Sequence, residues 1–337
     1  EDALFAFPQM PSPGTAGFNL DPEAAGSVRM QRVRSGHILV WPEVNNQPVG
    51  PFILDTGASG LVITPRAAEK MNLSGFGELC VAGVGGSVQC QYRQAESLKL
   101  GPVTILKPLF MEMRLDGIVS GGVAEPVAGI IGFDVFRHVV MKVPARSQEA
   151  SAIYLHLPER VAQDADDAKD GLQWVPMRFV ANVPHVLAEL DISPGAKELF
   201  MLDSGAGGVD CIFHGQSVAR LGLLDVLESG GGLAQLRGVS NATSEKTGQP
   251  RSLGLQARSH TLNWIQLVGG RRFTDVRSMI PVKDGFDLSE HTCGMLTGDL
   301  LSRSDVIYDY PGRRVAILDT VPGDATGDKG RQLRSRI

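Results

Sequence analysis

A stretch of 24 residues in the first part of the chain recurs without a gap 148 positions later. His37 to Gly60 (HILVWPEVNNQPVGPFILDTGASG) overlies His185 to Gly208 (HVLAELDISPGAKELFMLDSGAGG), and eight of the 24 positions are identical: His37/His185, Leu39/Leu187, Phe52/Phe200, Leu54/Leu202, Asp55/Asp203, Gly57/Gly205, Ala58/Ala206 and Gly60/Gly208. A second element recurs downstream, where GIIGFDVF (Gly129 to Phe136) parallels GMLTGDLL (Gly294 to Leu301) and pairs Asp134 with Asp299. A period this long is not that of a solenoid, whose units run ~20 to 50 residues. One unit of domain size used twice makes two similar lobes.

Inside the repeat lies its chemistry. Asp55 follows Phe52, Ile53 and Leu54 and precedes Thr56 and Gly57; Asp203 follows Phe200, Met201 and Leu202 and precedes Ser204 and Gly205. A single Asp-Ser/Thr-Gly is a weak signal, expected about 0.3 times by chance in a chain this rich in glycine. Alone it reads as a strand-end turn, where Asp and Ser bond their own backbone and Gly supplies permissive angles. Two copies in register can set two carboxylates face to face, and adjacent carboxylates share a proton because both cannot ionise comfortably.

With these motifs the chain resembles the pepsin/retropepsin clan of aspartic proteases, in a single-chain tandem form of the kind expected in bacteria. The retroviral-type half is the nearer match. Ile130, Ile131, Gly132 and Asp134 resemble the retroviral Ile-Ile-Gly-x-Asp/Asn signature, and VAGVGGSVQ, with Gly83, Val84, Gly85 and Gly86, resembles a glycine-tipped flap. The resemblance spans roughly residues 31–318 as two fused units. It implies an all-β, bilobal, closed-barrel fold with a cleft between the lobes. It also implies that Asp55 and Asp203 are catalytic, that Thr56 and Ser204 brace the loops, and that Gly57 and Gly205 bring amides to the carboxylates.

The second lobe departs from the pattern. It reads Met295, Leu296, Thr297, Gly298 where Gly132 predicts glycine one position earlier, and its flap candidate around Gly238 and Val239 is poor in glycine. Neither flap has the tyrosine of pepsin-like enzymes.

Four cysteines complete the motif set. Cys80 and Cys90 stand symmetrically about Gly85, as a cross-strand pair in a hairpin would. Cys211 and Cys293 fall on strands that the resemblance makes neighbours. Disulfides Cys80–Cys90 and Cys211–Cys293 are therefore expected, in an oxidising compartment; four buried thiols are the alternative. The cysteines are not in close pairs and none of the seven histidines forms a ligand motif, so no metal and no cofactor is expected. His37 and His185 match in the repeat about eighteen residues before the Asp loops, a spacing that reads as structural. The chain begins at Glu1, which a removed signal peptide would explain, as would other trimming. A periplasmic or secreted protein is expected, with a cytoplasmic one as the alternative.

Hydrophobic residues make up 43% of the chain and charged ones 20%, which excludes a disordered chain. A net charge of −5 without basic runs argues against nucleic acid or an anionic membrane as the main partner. No apolar run approaches the ~20 residues of a membrane span. The expected partner is an extended peptide or protein substrate, and one chain holding both half-sites points to a monomer.

Short apolar runs separated by Gly, Pro and Asn predict strands at Ile38 to Val40, Leu61 to Thr64, Val103 to Leu106, Val139 to Val143, Trp264 to Val268 and Val306 to Tyr308. Helices are predicted at Pro65 to Met71 and Gln216 to Leu221, with a turn or two after Asp134 and Asp299. The domain reading is an extended segment over 1–30, lobes over 31–160 and 173–320, an acidic linker over 161–172 and a polar tail over 321–337.

Three functions fit the residues. They are an endopeptidase acting through a water between Asp55 and Asp203, a peptide-binding pseudoprotease of the same fold, and a phosphotransferase whose Asp-Gly loops hold phosphates. The third is disfavoured because the whole β unit repeats and no helix-rich nucleotide domain follows. Ala58 and Ala206 follow the two Asp-x-Gly turns and offer no hydroxyl to the ionised carboxylates, which predicts weakly acidic rather than strongly acidic activity.

Overall fold

Three consecutive apolar residues before each Asp suit a strand buried on both faces, not the alternating pattern of a half-exposed one. The computed structural model describes residues 17–21, 26–83, 86–115, 119, 125–158, 172–223, 233–236, 255–282 and 292–318. Phe52–Leu54 runs parallel to Gly129–Ile131, and Ser193–Asp203 runs parallel to Gly294–Thr297. Phe52, Ile53 and Leu54 are each buried, as are Phe200 and Leu202. Asp55 therefore leaves a strand buried on both faces, whereas the strand before Asp203 alternates buried Phe200 and Leu202 with half-buried Leu199 and Met201.

The lobes are joined by sheet. Six neighbouring strands run in the order Trp174–Pro176, Arg314–Leu318, Asp305–Asp309, Val140–Val143, Ala152–His156, Ser27–Arg32, three from each half of the chain. At the seam Val140 opposes Asp309 and Val143 opposes Val306 in an antiparallel ladder. The first lobe continues this sheet through Ile38–Val40, Phe52–Leu54, Gly129–Ile131, Leu61–Ile63, Leu109–Glu112 and the hairpin Gly75–Gly83/Gly86–Gln94. In the second lobe Val183–Leu190 pairs with both Ser193–Asp203 and Leu255–Leu267. That extra pairing closes six strands into a barrel, removing sheet edges in the way closure does. The fold is all-β, bilobal and of the closed-barrel type, as the resemblance implies.

Among the described residues four short α-helices follow the central strands. Helix α1 (Pro65–Lys70) has Pro at its first turn and Thr64 as N-cap, whose hydroxyl accepts the Ala67 amide at 3.3 Å. Helices α2 (Phe133–Phe136), α3 (Gly215–Arg220) and α4 (Gly298–Leu301) complete the set, and all four match predicted sites. The predicted strands are also found, Trp264 to Val268 as the end of the long strand Leu255–Leu267 and Val306 to Tyr308 within Asp305–Asp309. Among the described residues no helix is long and apolar enough to cross a membrane.

The ladders show where the gapless sequence overlay slips. Phe52 opposes Val40, whereas Phe200 opposes Val186. In the overlay Val40 sits on Ala188, so this strand is displaced by two. The turn into it differs as well: Val33 and His37 bracket three residues, while Val180 and Val183 bracket Ala181 and Asn182, both at positive φ. The position matching His37 is thus Val183, and His185 is not its structural counterpart.

The cysteine expectations are not met. Cys211 and Cys293 are free and buried, and Cys90 is buried. Cys90 opposes Leu79 and Cys80 opposes Gln89, because the hairpin turns between the paired residues Gly83 and Gly86 and not about Gly85. The two cysteines stand one position out of register. Cys211 opposes Leu296, while the Cys293 carbonyl accepts from the His214 amide three positions along. Three residues of strand rise roughly 10 Å, beyond the ~7 Å that a disulfide spans between Cα atoms. Burial, with the charge of Glu198 adding, pushes the Cys293 thiol up to about 12. The case for an oxidising compartment thereby loses its cysteine support.

Candidate active site

Each Asp turn is tied to the other lobe by its hydroxyl residue. The Thr56 amide donates to Ser204 Oγ at 3.0 Å, and the Ser204 amide donates to Thr56 Oγ1 at 3.0 Å. Each hydroxyl passes its own proton across the interface, Thr56 to the Leu202 carbonyl at 2.8 Å and Ser204 to the Leu54 carbonyl at 2.9 Å. Four reciprocal bonds fix one turn against the other, and Thr56 is 1% exposed, so solvent cannot substitute for a lost partner.

The grip brings the carboxylates together. A Cβ on Gly205 would lie 2.3 Å from Asp55 Cγ, and one on Gly57 would lie 2.6 Å from Asp203 Cγ. Each glycine is thus the floor on which the opposite carboxylate rests. The Gly57 amide donates to Asp55 Oδ1 at 2.7 Å; the Gly205 and Ala206 amides both donate to Asp203 Oδ1 at 2.9 Å. Burial raises both acids, and the neighbouring charge of Asp203 raises Asp55 further. A hydrogen bond links the two acids, so their titrations belong to the pair and not to either residue. Behind the pair, burial also lifts the phenols of Tyr308 and Tyr310, which stay neutral.

The second loop is longer than the first. Ile63 and Phe213 occupy equivalent places opposite Gly129 and Gly294, yet Asp55 lies eight residues before Ile63 and Asp203 ten before Phe213. This explains the Thr297 departure. Gly132 is crowded by the Gly60 and Ala58 carbonyls, which would stand 2.3 and 2.7 Å from a Cβ. In the longer loop Thr297 fits at that position, capping α4 and donating to the Val209 carbonyl. Gly298 then takes over the close approach, 2.9 Å from the Ser204 carbonyl to a built Cβ. The amides of Phe133 and Gly298 donate to the Ala58 and Ala206 carbonyls alike, at 3.1 and 2.9 Å.

The longer loop also carries Asp210, which sequence reasoning passed over. Its carboxylate is 1% exposed and accepts from the Arg277 amide at 2.9 Å, Arg277 Nε at 3.1 Å and Arg303 Nη2 at 2.6 Å. Asp299 extends the cluster, 3.6 Å from Arg277 and 3.9 Å from Arg146. Unequal spacing between Asp203 and the downstream apolar element was the signal available for it.

Asp55, Thr56, Gly57, Asp203, Ser204 and Gly205 therefore converge at one place. Gly83 and Gly86 close a hairpin as predicted. Val84 and Gly85, Gly238 and Val239, residues 161–171 of the expected linker and the tail from 321 lie outside the described residues.

Residues 41–135 match the family model described as Aspartyl protease. No curated protein matches the chain in sequence. Among solved structures, the aspartic proteinase from Irpex lacteus superposes with a TM-score of 0.52 at 14% identity, over 88% of this chain and 98% of that one. Basic 7S globulin from soybean gives a TM-score of 0.47 at 13% identity, over 88% and 94% of the two chains. The matched segment spans the first Asp loop and is similar to that family, and the fold shared with the Irpex lacteus proteinase, pepsin-like in architecture, spans both lobes.

Proposed function

We propose that the chain is an aspartic endopeptidase that hydrolyses peptide bonds with Asp55 and Asp203 as its dyad. The observation that carries this reading is the mutual seating of the two carboxylates, each against the other lobe's glycine. Ionised Asp203 takes a proton from a water placed between the acids, and the water oxygen attacks the scissile carbonyl. Protonated Asp55 hydrogen-bonds the oxygen on which negative charge develops. Asp203 then gives the proton it took from the water to the leaving nitrogen, and collapse of the tetrahedral species breaks the C–N bond and releases the amine and the carboxylic acid. No covalent enzyme intermediate forms. The substrate is an extended peptide whose main chain pairs with the hairpin Gly75–Gly83/Gly86–Gln94 in the manner of strand addition.

The test is hydrolysis of a mixed peptide library, followed by mass spectrometry. Cleavage is expected at weakly acidic pH, blocked by a statine-type inhibitor and abolished in both Asp55→Asn and Asp203→Asn. Inhibitor binding without cleavage would overturn the enzyme reading in favour of a peptide-binding pseudoprotease. A rate maximum at or below about pH 3 would overturn the argument from the alanines.

A further inference from the structure

The two candidate carboxylates are held unequally. Asp203 Oδ1 accepts two amides, those of Gly205 and Ala206. Asp55 Oδ1 accepts the amide of Gly57, and the Gly205 amide of the other loop also favours its ionised form, while the amide of Ala58, the counterpart of Ala206, turns to the Asp55 main-chain carbonyl at 3.3 Å. The Gly205–Ala206 peptide has a further partner at its other end. His37, from the opposite lobe and 7% exposed, places Nε2 2.9 Å from the Gly205 carbonyl oxygen. A carbonyl only accepts, so Nε2 carries the hydrogen. Nδ1, 2.8 Å from Ser35 Oγ, then accepts from that hydroxyl.

A continuous chain results: Ser35 hydroxyl to His37, His37 to the Gly205 carbonyl, and across that peptide the Ala206 amide to Asp203. Each bond in such a chain polarises the next, by perhaps 10–30% per bond. The turn carrying Ser35 and His37 is pressed on the second loop. A Cβ on Gly207 would lie 2.6 Å from the Ser35 carbonyl, and one on Gly36 would lie 2.8 Å from Asp299 Oδ1. The first loop lacks this brace among the described residues, since Val183 stands at the matching position and His185 Nδ1 donates to the Val183 carbonyl on its own strand.

We propose that His37 is a positioning residue which, through the Gly205–Ala206 peptide, makes Asp203 the ionised member of the pair and leaves the shared proton on Asp55. The inference rests on reading Asp55 and Asp203 as a proton-sharing dyad. Burial pushes the His37 imidazole below its ordinary value, opposed by the Gly205 bond and by Asp299, so the ring is neutral when it bonds the peptide. Asp299 is the acid facing the ring, and it is drawn off by Arg146 and Arg277. The dyad itself faces the neutral phenols of Tyr308 and Tyr310.

The decisive measurement is the carboxyl carbon NMR titration of Asp55 and Asp203 in the intact chain, the two signals being assigned with Asp55→Asn and Asp203→Asn. His37→Phe keeps the ring volume and loses the donor; His37→Gln keeps an N–H near the place of Nε2. In His37→Phe the first deprotonation of the pair is expected to rise by about half a pH unit, a threefold change in proton affinity. His37→Gln is expected to stay near wild type. An unshifted His37→Phe, or a His37→Gln displaced as far as His37→Phe, overturns the proposal. Ser35→Ala removes only the outer link and is expected to shift the same step by a smaller amount. If His37→Phe does not fold, an unshifted Ser35→Ala overturns the proposal by itself. The titration needs no turnover, so a wild-type chain that cleaves nothing would count against the peptidase reading alone.

Discussion

Thr56 and Ser204 exchange four hydrogen bonds across the lobe interface, each hydroxyl accepting the other's amide and donating to the carbonyl just before the other's Asp. The seating of the two carboxylates is therefore a property of the interface and not of either lobe. Thr56→Ala would leave the Leu202 carbonyl and the Ser204 amide buried without partners. We expect a loss of about 2–4 kcal/mol in urea denaturation from these two groups. Thr56→Ser, which restores the hydroxyl, should recover most of it. Equal losses in the two variants would show that the methyl group, not the bonds, carries the effect.

Asp55 is raised well above its ordinary value, by burial first and by Asp203 second. With the native value above the unfolded one, the folded state binds more protons between the two. The stability this group contributes is complete below the unfolded value and is lost as pH rises through the native one. Asp55→Asn removes that loss. Its Tm should exceed that of wild type at pH 7, and the difference should shrink or vanish near pH 3, below the unfolded carboxylate value of about 3.9. A difference independent of pH would contradict the assigned direction.

The Asp loops were legible because their chemistry is local: an apolar strand, an acid, a small hydroxyl residue and a glycine within a few positions. Register was less so. A strand pattern repeats every two residues, so the two-residue displacement that separates His37 from His185 preserves every inside-outside assignment and leaves no trace in hydropathy. The longer second loop was hidden by Gly208, whose match to Gly60 extended the apparent overlay past the point where the backbones diverge. The cysteine symmetry about Gly85 assumed a three-residue turn, whereas the pairing of Gly83 with Gly86 makes it two. His37 acts on a carbonyl 168 residues away, and no local pattern encodes that contact.

Gly205 and Gly208 sit in the same loop but are glycine for different reasons. A side chain at Gly205 would collide with the Asp55 carboxyl, while Gly208 has φ +87° and nothing within 4 Å of a built Cβ. Gly205→Ala should cut kcat/KM by about 100-fold or more, because displacement of the dyad by an ångström is enough to do so. Gly208→Ala should cost about 1–2 kcal/mol of stability for its left-handed backbone and leave kcat/KM near wild type. Similar activity losses in both variants would mean that the loop responds as one strained unit.

Asp210 tests whether the longer second loop is held by charge or by backbone bonding. Its partners Arg277 and Arg303 have side chains 57% and 33% exposed, so solvent and salt weaken their attraction for the buried carboxylate. The Arg277 amide has no such screening, and its bond to Asp210 Oδ2 ties the loop to the strand Arg272–Pro281. Asp210→Ala strips that amide of its acceptor and should cost about 1–3 kcal/mol, the penalty of one buried donor left unpaired. The cost should persist in 1 M salt, where the Debye length is only about 3 Å and exposed ion pairs contribute little. Asp210→Asn retains an acceptor for the amide and should lose less than half as much. Denaturation of the three proteins at low and high salt separates the terms: a loss that disappears in salt would assign the loop's anchoring to the arginines, and an Asn variant as weak as the Ala variant would do the same.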